Sequence, residues 1–222
     1  MEFAGDFEIH ITIEALGETE VEAVLAWAEQ HGLKFHHIVL ARGLTPSQPM
    51  ITRSGRGVLS GQIAEANELC RLLAGSGLVA TRVKVEAAPW NEDVPLSDEA
   101  AAAHPGRHFE HHVKLALPPE ADLQALGDLA EPHGAHLSRN ARRSRPDGLG
   151  ERFVTQRCHR CGRATASARL RLLETAIRSR GHVVLSVEEE YVVHDTNPGV
   201  DAGWLEPGRH PCPTTSGDSS SD

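Results

Sequence analysis

Aromatic residues are scarce: five Phe, three Trp and one Tyr make up 4% of the 222 residues. Surfaces that read single-stranded nucleic acid stack its bases on aromatic rings, so nucleic acid is not the favoured partner. Cysteine is equally sparse. Cys70, Cys158, Cys161 and Cys212 are too few and too unevenly placed for the disulfide framework of a small secreted domain. No apolar run approaches the roughly 20 residues of a membrane-spanning helix, and no basic-then-apolar segment opens the sequence. The reading is a cytoplasmic protein with no membrane partner. Basic residues are also in deficit, 22 Lys and Arg against 31 Asp and Glu, for a net charge of −9.

What is present is alternation. Phe7, Ile9, Ile11 and Ile13 interleave with Glu8, His10, Thr12 and Glu14, the period-2 pattern of a strand with one buried and one polar face. The stretch returns as Phe109-Glu-His-His112-Val-Lys114-Leu115. Between the two copies the spacing predicts a helix from a capping box at Thr19–Glu22, strands over 33–42 and 48–53, a loop at Ser54-Gly-Arg-Gly57, a helix from Ser60 to Gly75, and a strand over Val79–Ala87. Residues 108–197 repeat the order: strand 109–117, helix 120–133, strands 135–142 and 151–157, helix 165–180, strand 183–194. Strand, helix, strand, strand, helix, strand is the ferredoxin-like split unit. The expected fold is therefore α+β, with two tandem ferredoxin-like lobes over residues 1–89 and 108–197, related by internal duplication. An acidic linker over 90–107 joins them, and a Gly-, Pro- and Ser-rich tail over 198–222 is expected to be disordered.

In such a unit both helices cover one sheet face and the other stays open, with first and last strands adjacent. His10 and Thr12 should then lie beside Lys84 and Glu86, and His112 and Lys114 beside Glu188 and Glu190. Alignment through Gly77 and Gly181 matches Glu86 to Glu190. Two polar faces in one chain predict a face-to-face arrangement with a polar cleft between the lobes.

Residues 139–180 hold 12 arginines against 3 acids. The Arg fork matches phosphate and carboxylate oxygens. Arg139, Arg142 and Arg157 are the candidates for an anion clamp at the cleft mouth, the alternative being a solvated face. Cys158-His-Arg-Cys161 follows a strand and precedes a helix, a setting that suits redox chemistry or two zinc ligands. No second pair completes the usual zinc set. A metal held by histidines would need one from each of several strands, such as His10, His36 and His112.

His10-Ile-Thr-Ile13 resembles the His-x-Thr-x motif of the 2H phosphoesterases. That resemblance implies two pseudo-symmetric lobes facing a central cleft, one histidine acting as base and the other as acid, and hydroxyls holding phosphate oxygens. The second copy departs from the motif, with Lys114 in the place of Thr. The resemblance implies His10 and His112 as the catalytic pair. Thr12, Lys84, Glu86, Lys114, Glu190 and the three arginines would contact the ligand. The leading expectation is thus an anionic small molecule or nucleotide bound, and hydrolysed, by two-histidine chemistry that needs no cofactor. A non-catalytic module for an anionic ligand or a protein is the alternative. A metal- or thiol-dependent enzyme, with zinc as the cofactor, is the third.

Overall fold

The alternation at the start of the chain becomes β1 (Ala4–Ile13), with Phe7, Ile9, Ile11 and Ile13 buried on one side. The computed structural model describes residues 2–143 and 145–204. After β1 come α1 (Glu18–Gln30), β2 (Lys34–Leu40), β3 (Ser47–Val58), α2 (Leu59–Gly75) and β4 (Ala80–Ala87). A short α3 (Asp98–Ala102) leads to β5 (His108–Leu117), α4 (Leu123–Ala130), β6 (Ala135–Asn140), β7 (Gly150–His159), α5 (Arg163–Ser179) and β8 (Val183–Asp195). The strands run β4-β1-β3-β2 in the first half and β8-β5-β7-β6 in the second, all neighbours antiparallel. The fold is α+β, and the split order occurs on both sides of α3.

The two sheets do not face each other across an open cleft. Their edges pair instead. β2 meets β6 from Ile38↔Asn140 to Leu40↔Ser138, and β4 meets β8 from Lys84↔Asp195 to Ala87↔Tyr191, closing one eight-stranded barrel. Each isolated sheet would leave two edges with unpaired backbone N–H and C=O groups, and closure satisfies all four edges at once. The apolar faces turn outward, where the helices cover them. Val24, Trp27 and Ala28 of α1, with Ala66, Leu69 and Leu73 of α2, complete one core. Leu126 and Ala130 of α4, with Leu170, Leu173 and Ile177 of α5, complete the other. Each buried Leu or Ile contributes about 1.5–3 kcal/mol of transfer free energy. The polar faces are left lining the lumen. Among the described residues no helix is long and apolar enough to cross a membrane.

Four local expectations are corrected. Thr19 does not cap α1: Gly17 is the N-cap, and Glu18 and Glu20 occupy the first turn, where acidic groups complement the helix dipole. Ser54–Gly57 is not a loop. It extends β3, with Ser54 opposite Glu8 and Gly57 opposite Gly5. Its glycine serves packing, because a Cβ at Gly55 would come within 2.5 Å of the Gln62 side-chain oxygen. Residues 90–107 are no free linker. Asn91 accepts from the Asp6 N–H at 2.9 Å, and Asp98 accepts from the Gly162 N–H at 2.8 Å. Finally, the tail begins ordered. Pro198–Asp201 forms a 3-10 turn, and Val200, Asp201 and Trp204 are buried. Residues 205–222 lie outside the described residues.

Candidate functional site

Most strands turn their polar half into the lumen, while β2 and β3 add the apolar Ile38, Leu40 and Met50 beside His36 and Gln48. Glu8, His10 and Thr12 enter from β1, Arg82 and Lys84 from β4, Glu110, His112 and Lys114 from β5, and Ser186, Glu188 and Glu190 from β8. Phe153, Thr155 and Arg157 enter from β7, with Ser138 and Asn140 from β6. They line a cavity of about 240 Å³, below the roughly 300–1,000 Å³ of drug-sized ligand sites and suited to a smaller molecule. It reaches solvent past the exposed Ser186 and Glu188.

The two histidines are set alike. His10 stands opposite Thr52 of β3, whose hydroxyl lies 2.8 Å from Nδ1. His112 stands opposite Thr155 of β7, whose hydroxyl lies 3.0 Å from Nδ1. In both, Nε2 points at carboxylates. Glu86 lies 2.6 Å from His10, and Glu190 and Glu110 lie 3.3 and 3.4 Å from His112. Burial alone would suppress the charge of each imidazole. Glu86 outweighs it at His10, whose pKa rises, and Glu190 and Glu110 outweigh it at His112, which is pushed up to about 9. His36, bonded to Asn140 at 3.4 Å, goes the other way: burial and the His10 charge lower it to about 4.

Behind the histidines lies a buried ion network. Lys84 sits 2.6 Å from Glu86 and 2.8 Å from Glu110. Arg157 donates to Glu110 at 2.5 Å and to Asp201 at 2.6 Å. Burial raises the carboxylate pKa of Glu86 and Glu110, but Lys84 and Arg157 outweigh it and hold both groups ionised. The segment after β8 plugs this end. Asp201 also accepts from Arg82 at 2.8 Å, and Trp204 packs on Leu40 while its indole N–H donates to the Leu137 carbonyl at 3.0 Å.

Of the residues anticipated from sequence, His10, Thr12, Lys84, His112, Lys114, Arg157 and Glu190 line the cavity, and Glu86 is buried against two of them. The pairing His10↔Lys84 matches expectation, and Glu86 does reach His10. Arg139 and Arg142 are not in the site. Ser138 and Asn140 take the inward positions of β6, so Arg139 points outside beside Arg152. Arg142 pairs with Glu18 and Glu22 of α1. Their neighbour Arg143 lines the lumen instead. Cys158 and Cys161 are buried on the outer face among Phe109, Ala166 and Tyr191. Their mutual hydrogen bond lowers the Cys158 pKa and raises that of Cys161. Among the described residues, the His, Cys, Asp and Glu groupings close enough to share an ion contain no cysteine. Thr52, Thr155, Glu110, Arg82 and the Asp201–Trp204 plug were not anticipated. The threonines had a signal: each follows a β-branched residue on the third strand of its half, Ile51-Thr52 and Val154-Thr155.

The arrangement can hold two protons between paired acids and bases, bind an ion, or grip a small charged ligand. No protein-family model matches the chain, and no curated protein matches it. Solved structures similar to it include the ligand-free regulatory subunit of aspartate kinase from Thermus thermophilus, 14% identical with a TM-score of 0.31, covering 79% of this chain and 97% of that one. Chlorite dismutase from Candidatus Nitrospira defluvii, in complex with imidazole, is 14% identical with a TM-score of 0.29, covering 86% and 92%. The siroheme decarboxylase NirDL is 11% identical with a TM-score of 0.25, covering 87% and 76%. At these scores the likenesses carry no argument about what this chain binds, and its function is read from the lumen.

Proposed function

We propose that the lumen binds a phosphate-bearing or similarly anionic small molecule, and that His10 and His112 act on it as an acid and base pair. The carrying observation is convergence: one histidine from each half, each steadied by a threonine, lines the same solvent-reaching cavity. A phosphodiester needs a proton removed from the attacking oxygen and another delivered to the leaving one. Lys114, Arg143 and Arg157 line the same cavity and supply positive charge to meet the anion. The matched strand order of the halves supports an internal duplication of the kind the 2H resemblance implies. Among the described residues the thiols of Cys70, Cys158 and Cys161 are unpaired, which fits a reducing, cytoplasmic setting.

The test is a screen of 2′,3′-cyclic nucleotides and short 2′–5′ and 3′–5′ oligonucleotides, read as thermal stabilisation and as turnover. His10→Ala or His112→Ala should each lower turnover by about 10²–10⁴-fold, the usual contribution of a general acid or base. Turnover that survives loss of both histidines would sink the mechanism. A second reading, binding without turnover, has its own support. Lys84, Lys114 and Arg157 already face carboxylates, and both imidazoles are held toward the charged form, which leaves no free base. Stabilisation by ligand with no product would select it.

A further inference from the structure

The groups at the centre of the lumen have a geometry that charge balance alone does not require. Nδ1 of each histidine is taken by a threonine hydroxyl, at 2.8 Å for Thr52 and 3.0 Å for Thr155. Occupying the outer nitrogen in this way fixes an imidazole ring and leaves the other nitrogen aimed at one point, the arrangement proteins use to orient metal-binding histidines. Around the two Nε2 atoms stand the carboxylates of Glu8, Glu86, Glu110 and Glu190. Ligand atoms of Glu8, His10 and Glu190 lie within 4.8 Å of one another, as do those of Glu86, His112 and Glu190. Glu190 belongs to both groups, and the group of Glu86, His112 and Glu190 draws on β4 of the first half and on β5 and β8 of the second, while His10 lies outside that group and pairs with Glu86 at 2.6 Å. Donors bound at about 2.0–2.2 Å to one ion stand at most twice that distance apart, so small side-chain shifts suffice. Glu86, only 1% exposed, meets His10 and Lys84 at ion-pair distance, yet neither of its oxygens has a hydrogen bond of good geometry.

We propose that the lumen is a binding site for one divalent first-row transition-metal ion. Nε2 of His112 and the carboxylates of Glu86 and Glu190 are its ligands. Mixed imidazole and carboxylate donors without thiolate suit Mn²⁺, Fe²⁺, Co²⁺ or Zn²⁺, whereas Ca²⁺ and Mg²⁺ prefer all-oxygen sites. Lys84 engages Oε1 of Glu86 and His10 engages Oε2, so the ion takes a carboxylate whose two neighbours are a cation and an imidazole that turns aside on binding. The ligands come from β4 of the first half and from β5 and β8 of the second, so neither half holds the site alone. Cys158 and Cys161 take no part in it. The inference stands on this geometry and does not depend on the anion reading.

The test uses the full chain, stripped with a chelator and desalted, then titrated separately with Co²⁺ and Zn²⁺ in buffer free of phosphate and nucleotide. Calorimetry and the visible absorption of Co²⁺ should report one equivalent per chain, with thermal stabilisation that grows with metal concentration. His112→Gln and Glu190→Gln should each weaken binding by tenfold or more, on the order of a lost ligand, and Thr155→Val by about 10–100-fold at unchanged stoichiometry. The isosteric Thr155→Val keeps the test decisive if a ligand variant fails to fold by circular dichroism. The paired change Cys158→Ser and Cys161→Ser should leave uptake unaltered. No uptake of either metal at millimolar concentration would overturn the proposal. So would uptake indifferent to Thr155→Val, or uptake lost with the cysteines.

Discussion

In the first half of the barrel His10 leans on a single close carboxylate, Glu86 at 2.6 Å; in the second, His112 lies between Glu190 and Glu110 at 3.3 and 3.4 Å. The equivalent acids two residues earlier differ more. The Glu8 side chain is 34% exposed and pairs loosely with Lys34 at 3.6 Å, whereas that of Glu110 is 2% exposed and meets both Lys84 and Arg157. Thr12 faces the lumen where the second half has Lys114. One backbone plan therefore carries two electrostatic roles. The second half, with Asp201, anchors the buried network, and the first half keeps its acid near water. Burial decides the role, because the same charge costs several kcal/mol to desolvate inside and almost nothing at the rim.

The most damaging way to test this contrast is Glu110→Gln. It leaves Arg157 with Asp201 alone and Lys84 with Glu86 alone. Removing one partner of a buried ion network costs about 3–5 kcal/mol, and the surviving partners put the expected loss near 3 kcal/mol. Urea unfolding followed by circular dichroism measures it. A loss below about 1 kcal/mol would show that the network is not what sets the two halves apart.

Trp204→Ala comes next and acts on the seam between the halves. Trp204 bridges Leu40 of β2 and the Leu137 carbonyl of β6, where only three residue pairs join the strands. Truncating a buried Trp costs about 3 kcal/mol or more, but Trp204 packs in a small cluster with Leu40 and Ile38, so about 2–3 kcal/mol is expected. Hydrogen exchange should accelerate in β2 and β6 before it does in β4 and β8, the other seam. Uniform acceleration would mean that the plug does not govern this seam.

Much of this was legible in the sequence because alternation is a direct consequence of strand geometry. Phe7 to Ile13 and Val83 to Glu86 could face only one way each, and this placed His10, Lys84 and Glu86 together before any coordinates. The closed barrel was not legible. Edge pairing such as Ile38↔Asn140 depends on backbone groups that every residue carries, so no side chain announces it. Arg139 and Arg142 misled for a related reason: in a dense Arg run, composition does not say which residue turns inward, and that residue is Arg143. Asp201 and Trp204 were hidden by Gly- and Pro-rich surroundings, although a Trp in a polar tail is itself a sign of burial. Thr52 and Thr155 needed the cross-strand register, which only the fold supplies.

The pH dependence sharpens the contrast at an intermediate scale. In chelator-treated protein His112 is held at about 9, above its ordinary value of about 6.5. A folded-state pKa raised in this way gives stability that is full below about pH 6.5 and is lost as pH rises through 9. The expected loss is on the order of 3 kcal/mol at 1.36 kcal/mol per tenfold. His36, lowered to about 4, acts on the acid side. Its contribution is full above pH 6.5 and is lost as pH falls toward 4. His112→Gln should flatten the alkaline fall of the melting temperature between pH 7 and about 9.5 and leave the acid limb in place. An alkaline fall unchanged in that variant would remove His112 from the account.

The smallest expected effect is the most specific. Glu8→Gln changes the counterpart of Glu110 by the same atoms, a carboxylate oxygen for an amide nitrogen, at the equivalent position of β1. Its contacts are Lys34 at 3.6 Å, the Ser54 hydroxyl at 2.8 Å and the edge of His10 at 3.7 Å. An amide oxygen can still accept from Ser54, His10 keeps Glu86, and Lys34 is itself 64% exposed and loses only a screened partner. Exposed pairs of this kind contribute about 0–1 kcal/mol, so unfolding free energy should shift by less than 1 kcal/mol. The informative quantity is the difference between Glu8→Gln and Glu110→Gln, measured in the same buffer. A gap of about 2 kcal/mol or more locates the structural charge in the second half. Two equal losses would mean that Glu8 is as desolvated in solution as Glu110, that the lumen closes over its mouth, and that the halves are electrostatic equals.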